Sequence, residues 1–171
     1  GQSWSRDKVC ALLWPEVRAA QARHSLRQTL VSVRKLLPPE GLKTRARALY
    51  LDPARVEVDA AQLEAYVAEG SVSALSQAAA LYQGDLLEGI AAAEQPFEQW
   101  LTFERERLRG LMTHGLARLI ALHTEAGHLW AASEACTQLL RLDPLREETH
   151  RALMRLYARQ GRRSAALQQY H

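Results

Sequence analysis

The stretch from Leu116 to His171, LARLIALHTEAGHLWAASEACTQLLRLDPLREETHRALMRLYARQGRRSAALQQYH, decides how most of this chain is read. Shifted by 34 positions it falls on itself: Leu119 on Leu153, Leu122 on Leu156, Gly127 on Gly161, Ala131 on Ala165 and Ala132 on Ala166. At the same offset His123 stands opposite Tyr157, ring against ring. Each matching residue type has a packing reason. Leucines three apart share one face of a helix. Glycine supplies a left-handed turn between two helices. Alanine just beyond it lets two helix axes approach closely. Leu139-Leu140 and Asp143-Pro144 close the first unit, and the second is cut off at His171, inside its second helix.

A period of this length, with helix, glycine turn, alanine-lined helix and closing proline, resembles the tetratricopeptide repeat and predicts such helix pairs over about 116–171. Working back toward Asp59, everything reads helical. Asp59 caps the helix AAQLEAYVAEG, closed by Gly70. Ser71 or Ser73 caps another that runs through Leu81-Tyr82 to Gly84. Asp85 to Ile90 reads as a short turn or helix, and Ala91 to Gln95 as a looser segment before Pro96. A long helix from Phe97 to Ala126 carries the stripe Leu101, Leu108, Leu111, Met112, Leu119 and Leu122, with Gly110 and Gly115 as places for a kink.

The first third has a different character. Ser5 caps a helix with Asp7 in its first turn and Val9, Leu12 and Leu13 on its apolar face, ended by Pro15. A second helix from Ala19 to Leu37 carries the stripe Ala22, Leu26, Leu30, Val33 and Leu37 and stops at Pro38-Pro39. Two β-prone pieces, Leu49-Tyr50-Leu51 and Val56-Glu57-Val58, then flank Asp52-Pro53-Ala54, which predicts a β-hairpin. Lys43, Arg45 and Arg47 lead into it.

Composition bounds the function classes. The chain has 171 residues, 47% hydrophobic and 24% charged, so it can bury a core and is not wholly disordered. No apolar run approaches the ~20 residues of a membrane helix, and the start GQSWSRDKV shows no secretory apolar region. Cys10 and Cys136 are isolated, which predicts buried apolar side chains in a reducing cytoplasm. The net charge of +3 is a sum of unlike parts. Residues 1–58 hold 11 Lys+Arg and 5 Asp+Glu, a net of +6, and residues 59–171 hold 11 and 14, a net of −3. The division suggests two domains, 1–58 and 59–171, with different partners.

Helix, turn, longer basic helix and β-hairpin is the order expected in the second half of a winged-helix DNA-binding domain. The fold class expected is therefore mainly α: a partial winged helix with a hairpin, then a tetratricopeptide-like helical domain. On the second helix, Arg23, His24, Arg27, Gln28 and Val31 are the candidates for base edges, since Arg can bridge guanine, Gln can read adenine and a small apolar group can meet a thymine methyl. Arg34, Lys35, Lys43, Arg45 and Arg47 are the candidates for phosphates. The alternative is a merely solvated basic face on a core helix. Only four residues precede Ser5, so the chain is expected to begin inside the winged helix. Either it is a piece of a longer protein that binds double-stranded DNA, or its basic part does not bind DNA.

Several segments carry a family resemblance. They are Ser5–Pro15, Ala22–Leu30 and Val33–Leu37, then Val58-Asp59, Ala80–Gly89, Trp100-Leu101 with Glu104–Leu108, Leu142–Glu148, Met154 and Gly161–Tyr170. In this order they resemble regulators of the antibiotic-regulatory-protein type: the end of the DNA-binding domain, then the bacterial transcriptional activator domain. The resemblance covers nearly the whole chain. It implies a winged helix that binds promoter repeats, beside a helical domain that mediates protein contacts or signal coupling. Leu63 departs from it, standing where the family commonly carries an aromatic.

No constellation suited to catalysis stands out. His123 and His128 are five apart across Gly127 and do not share a helical face. No H-E-x-x-H, paired Cys/His pattern or phosphate loop is present. Glu104 with Arg107, and Glu106 with Arg109, read as ion pairs on a solvated helix face. The expectation is no enzyme, no cofactor and no metal. Tyr82 and Trp100 are candidates for a contact between the two parts, although helix packing can bury them equally well. The partners expected are duplex DNA for the intact protein and a protein on the helical domain, with no membrane; self-association stays open. The competing reading is a protein-interaction scaffold without DNA binding.

Overall fold

Ser5 does what a capping serine should: its side chain accepts a hydrogen bond of 3.1 Å from the amide of Lys8 and starts helix α1 (Arg6–Leu13). Trp14 returns its amide to the carbonyl of Cys10, and Pro15 follows. Helix α2 (Ala19–Leu36) then lays Ala22, Leu26 and Leu30 into a core shared with Cys10 and Leu49, with Val9, Trp14, Val17 and Leu42 packed around them. Burying each such leucine stabilises the fold by about 1.5–3 kcal/mol.

The computed structural model describes residues 4–90 and 94–169 and is mainly α, with eight helices and three short strands among the described residues. The looser segment expected before Pro96 falls partly on residues 91–93, and the cut-off at His171 on residues 170–171, outside the described ones. The described residues form two compact units. One comprises residues 4–61, 86–90 and 94–105, the other residues 62–85 and 106–169.

The first unit holds a small antiparallel sheet of order β1-β3-β2, built from β1 (Trp4–Ser5), β2 (Leu42–Arg45) and β3 (Ala48–Leu51). β2 and β3 are a hairpin, in register Leu42 with Leu51 and Arg45 with Ala48, joined through Ala46 and Arg47. This corrects the expected hairpin. Its second strand is Leu49-Tyr50-Leu51, but the first lies upstream, and Val56-Glu57-Val58 is not a strand. The physical reason is Asp52. Its carbonyl accepts from the amides of Arg55 and Val56 at 2.9 Å each, and its side chain accepts from Ala54 at 3.0 Å. The chain is rolled into a helix-like turn that cannot reverse as a two-stranded ribbon. Lys43 and Arg45 therefore lie within the hairpin rather than ahead of it, and Arg47 lies at its turn.

The first turns of helix α5 (Gln95–Glu125) also belong to this unit. Trp100 meets Trp4 edge to face at 5.7 Å and stacks with Phe97 at 5.6 Å. Arg105 donates to the carbonyls of Leu86 and Leu87 at 2.8 Å each. Asp85 to Ile90, expected as a turn or helix, is a turn, with Leu87 at a φ of 51°.

In the second unit Ser71, rather than Ser73, caps helix α4 (Val72–Leu81), accepting from Ala74 at 3.1 Å. Leu63 and Val67 of helix α3 (Asp59–Glu69), Ala74, Leu75 and Ala78 of α4, and Leu108, Met112, Leu116 and Leu119 of α5 are buried. Leu63, 3% exposed, stands in the place of the expected aromatic as a core residue. α5 runs through Gly110 and Gly115 as one helix of 31 residues. Beyond it, Ile120 packs against Ala132 and Cys136 of helix α6 (Leu129–Leu142) and Leu153 and Leu156 of helix α7 (Glu147–Arg159). Helix α8 (Arg163–Gln168) follows.

The two glycine turns are near copies. Gly127 and Gly161 have φ of 75° and 76°, where any Cβ would be strained. His128 donates to the carbonyl of His123, and Arg162 to that of Tyr157, both at 2.8 Å. Leu129 and Arg163 then return their amides to Gly127 and Gly161 at 2.9 and 3.0 Å. The residue matches found in the sequence correspond to matching backbone turns.

Candidate nucleic-acid interface

With Ala22, Leu26 and Leu30 buried, the helical period turns the rest of α2 outward. Arg23, His24, Arg27, Gln28, Val31, Arg34 and Lys35 are all exposed, and Val31 is 52% exposed although apolar. At 3.6 residues per turn they span roughly 140° of arc. All five base-edge candidates thus share a solvent face. His24 Nε2 and Gln28 Nε2 lie 3.5 Å apart, one helical turn along it.

The phosphate candidates do not form one set. Arg34 donates to Thr44 Oγ1 at 3.2 Å and ties α2 to β2. Leu42 and Leu49 sit with α2 in the core, and the pleat puts Lys43 and Arg45 on the opposite face of the sheet. Lys43 is also paired, its Nζ 2.6 Å from Asp52 Oδ2. The hydrogen bond to Asp52 holds the Lys43 ammonium above its ordinary pKa, and the same bond, helped by the Ala54 amide, holds the Asp52 carboxyl below its own.

Arg47, by contrast, lies with α2. A groove of about 480 Å³ is lined by Arg6 and Asp7 of α1, Ala20, Arg23, Leu26, Arg27 and Leu30 of α2, and Arg47 of the hairpin turn. Four guanidinium groups face one carboxylate, and that carboxylate, Asp7, is 3.2 Å from Arg23 Nε. Arg6 was not singled out by the sequence reading. Nothing in its spacing signals it, since α1 meets the hairpin turn only through the fold: the Arg6 amide donates to the Arg47 carbonyl at 2.9 Å.

The remaining candidates have structural surroundings. Tyr82, in the second unit, donates its hydroxyl to Asp85 Oδ1 at 3.1 Å, and Arg109 meets Asp85 Oδ2 at 2.6 Å. Burial first, then Asp85, raises the Tyr82 pKa. Trp100, in the first unit, sits among Trp4 and Phe97. His123 and His128 rings lie 5.8 Å apart. No group of three or more His, Cys, Asp or Glu placed to hold a metal occurs among the described residues. Cys10 and Cys136 are buried thiols, and burial pushes the second up to about 11. No helix among the described residues is long and apolar enough to cross a membrane.

These features define a mainly α protein whose first unit exposes a basic helix face and a basic groove. The family model of the bacterial transcriptional activator domain matches residues 46–171, and the chain belongs to that family. Its role accordingly lies in bacterial transcription regulation. The match begins in the turn between β2 and β3 and takes in every later element, whereas α2 lies before it. No curated protein matches the chain.

Proposed function

We propose that this chain is part of a DNA-binding transcription regulator. Residues 1–58 act as the second half of a winged helix, with α2 as the recognition helix and the β2–β3 hairpin as the wing. Residues 59–171 form a tetratricopeptide-like helical domain that receives a protein partner or couples a signal. The observation that carries the reading is the unbroken exposed face of α2, which sets Arg23, His24, Arg27, Gln28 and Val31 side by side. On this reading those residues meet base edges, while Arg34, Lys35 and Arg47 meet phosphates. Lys43 and Arg45, on the far face of the sheet, contribute long-range attraction. The protein works in the cytoplasm without a cofactor.

The test is binding of the intact protein to promoter DNA across a salt series. Affinity should fall with salt, and Arg27→Ala should weaken binding by about 1–3 kcal/mol at its base pair. Unchanged binding in Arg27→Ala and Arg34→Ala alike would sink the assignment of α2.

One observation favours a scaffold without DNA binding: three of the basic side chains are already engaged, Arg23 by Asp7, Arg34 by Thr44 and Lys43 by Asp52. Co-purification of a protein partner, with no retardation of DNA by the intact protein, would select that reading.

A further inference from the structure

We infer that the groove between α1, α2 and the hairpin turn seats a backbone phosphate of duplex DNA, with Arg6 and Arg47 as its donors. This rests on the reading of the first unit as DNA-facing and adds to it a contact from α1. Three observations converge. Arg6, Arg23, Arg27 and Arg47 line one groove with Asp7 as its single carboxylate, so the site carries excess positive charge even after Arg23 pairs with Asp7. Arg6 Nε is buried and makes no hydrogen bond among the described residues. A buried donor on a permanent cation is costly to leave unpaired, and a phosphate oxygen is the acceptor that a guanidinium fork fits best. The side chains of Arg27 and Arg47 make no hydrogen bond or ion pair among the described residues, so both are free to turn to an incoming anion.

The position suits a backbone contact. The groove shares Arg23 and Arg27 with the edge of the α2 face assigned to base edges. Its floor is Leu26 and Leu30, which lowers the local dielectric and strengthens any ion pair formed above it. A phosphate there would be held from two elements at once, the start of α1 and the hairpin turn. Such a contact fixes the register of α2 without reading sequence. The same chemistry could come from a soluble phosphorylated molecule, and the experiment separates the two sources.

Binding of the intact protein to a mixed-sequence duplex is followed by fluorescence anisotropy at several salt concentrations, for wild type, Arg6→Gln, Arg47→Gln and Arg159→Gln. Arg159 is exposed on α7, outside the groove, and serves as the control. A lost phosphate contact lowers the slope of log K against log salt by about 0.9. Both groove variants should show that decrease and bind roughly tenfold more weakly at ~0.1 M salt. Arg159→Gln should match wild type. Inorganic pyrophosphate should compete with the duplex in wild type and less in either groove variant. Unchanged slopes in both groove variants, with promoter binding still weakened in Arg27→Ala, overturn the phosphate seat and leave α2 as the recognition helix. A wild type that does not bind duplex overturns both. Pyrophosphate binding measured by calorimetry that the duplex does not displace also overturns it, and assigns the groove to a soluble ligand.

Discussion

Gly110 and Gly115 sit in one helix, five residues apart, and the same substitution should act on them in opposite senses. An Ala at Gly110 meets nothing within 4 Å, so only the intrinsic gain remains: about 1 kcal/mol of helix propensity. An Ala at Gly115 places its Cβ 3.2 Å from Val67 Cγ2, 3.6 Å from Val67 Cγ1 and 3.5 Å from Leu75 Cδ2. Leu75 is fully buried and Val67 is 8% exposed, so neither can swing into solvent. Overpacking of this kind costs about 1–3 kcal/mol, which cancels or exceeds the propensity gain. Gly115→Ala should therefore be neutral to about 2 kcal/mol destabilising, against about 1 kcal/mol stabilising for Gly110→Ala.

The cause can be isolated. Val67→Ala removes two of the three methyl groups around the new Cβ, the closest one included, at its own cost of about 2 kcal/mol. In that background Gly115→Ala should recover the full gain of about 1 kcal/mol. Gly110→Ala should add to Val67→Ala within about 0.5 kcal/mol, since the two sites share no contact. Urea unfolding followed by far-UV circular dichroism reads all six proteins. If Gly115→Ala stabilises as much as Gly110→Ala with Val67 present, or shows no coupling to Val67→Ala, the close approach of α5 to α3 is not what requires glycine there.

Two further outcomes follow from the ionisable groups. The Asp52 carboxyl, held down first by Lys43 and then by the Ala54 amide, should titrate below ordinary aspartates in a side-chain NMR series. Its folded pKa is depressed, so its stabilisation is present above the unfolded pKa and lost as pH falls through the folded one. Lys43→Met should move the midpoint upward but not wholly to the ordinary value, and no movement would exclude the ion pair. Cys136, with its thiol pushed up to about 11, should resist a thiol reagent at pH 8 in the folded protein and react on unfolding. Native reactivity there would contradict its burial.

The helices and their matching glycine turns were legible because they are local. Residues three and four apart share a helix face and positions 34 apart repeat the same turn, so Leu119, Gly127 and Ala132 announce themselves with their counterparts Leu153, Gly161 and Ala166. The exposed face of α2 was legible for the same reason: once Ala22, Leu26 and Leu30 point inward, the outward set is fixed. The hairpin was half legible. Its β-prone residues were visible, but whether Asp52 begins a reversal or a helix-like turn depends on backbone hydrogen bonds to Arg55 and Val56 that composition does not encode.

What the sequence determined by itself, then, is the helical class, the paired turns at Gly127 and Gly161, and the basic outward face of α2. Tertiary structure alone decided which charges act together. It set Lys43 and Arg45 on the far side of the sheet from α2, spent Asp7 on Arg23, and brought Arg6 to the same groove as Arg27 and Arg47. The reason is physical: periodicity orders side chains along one element, whereas a charged site is assembled between elements, by packing that no local spacing records.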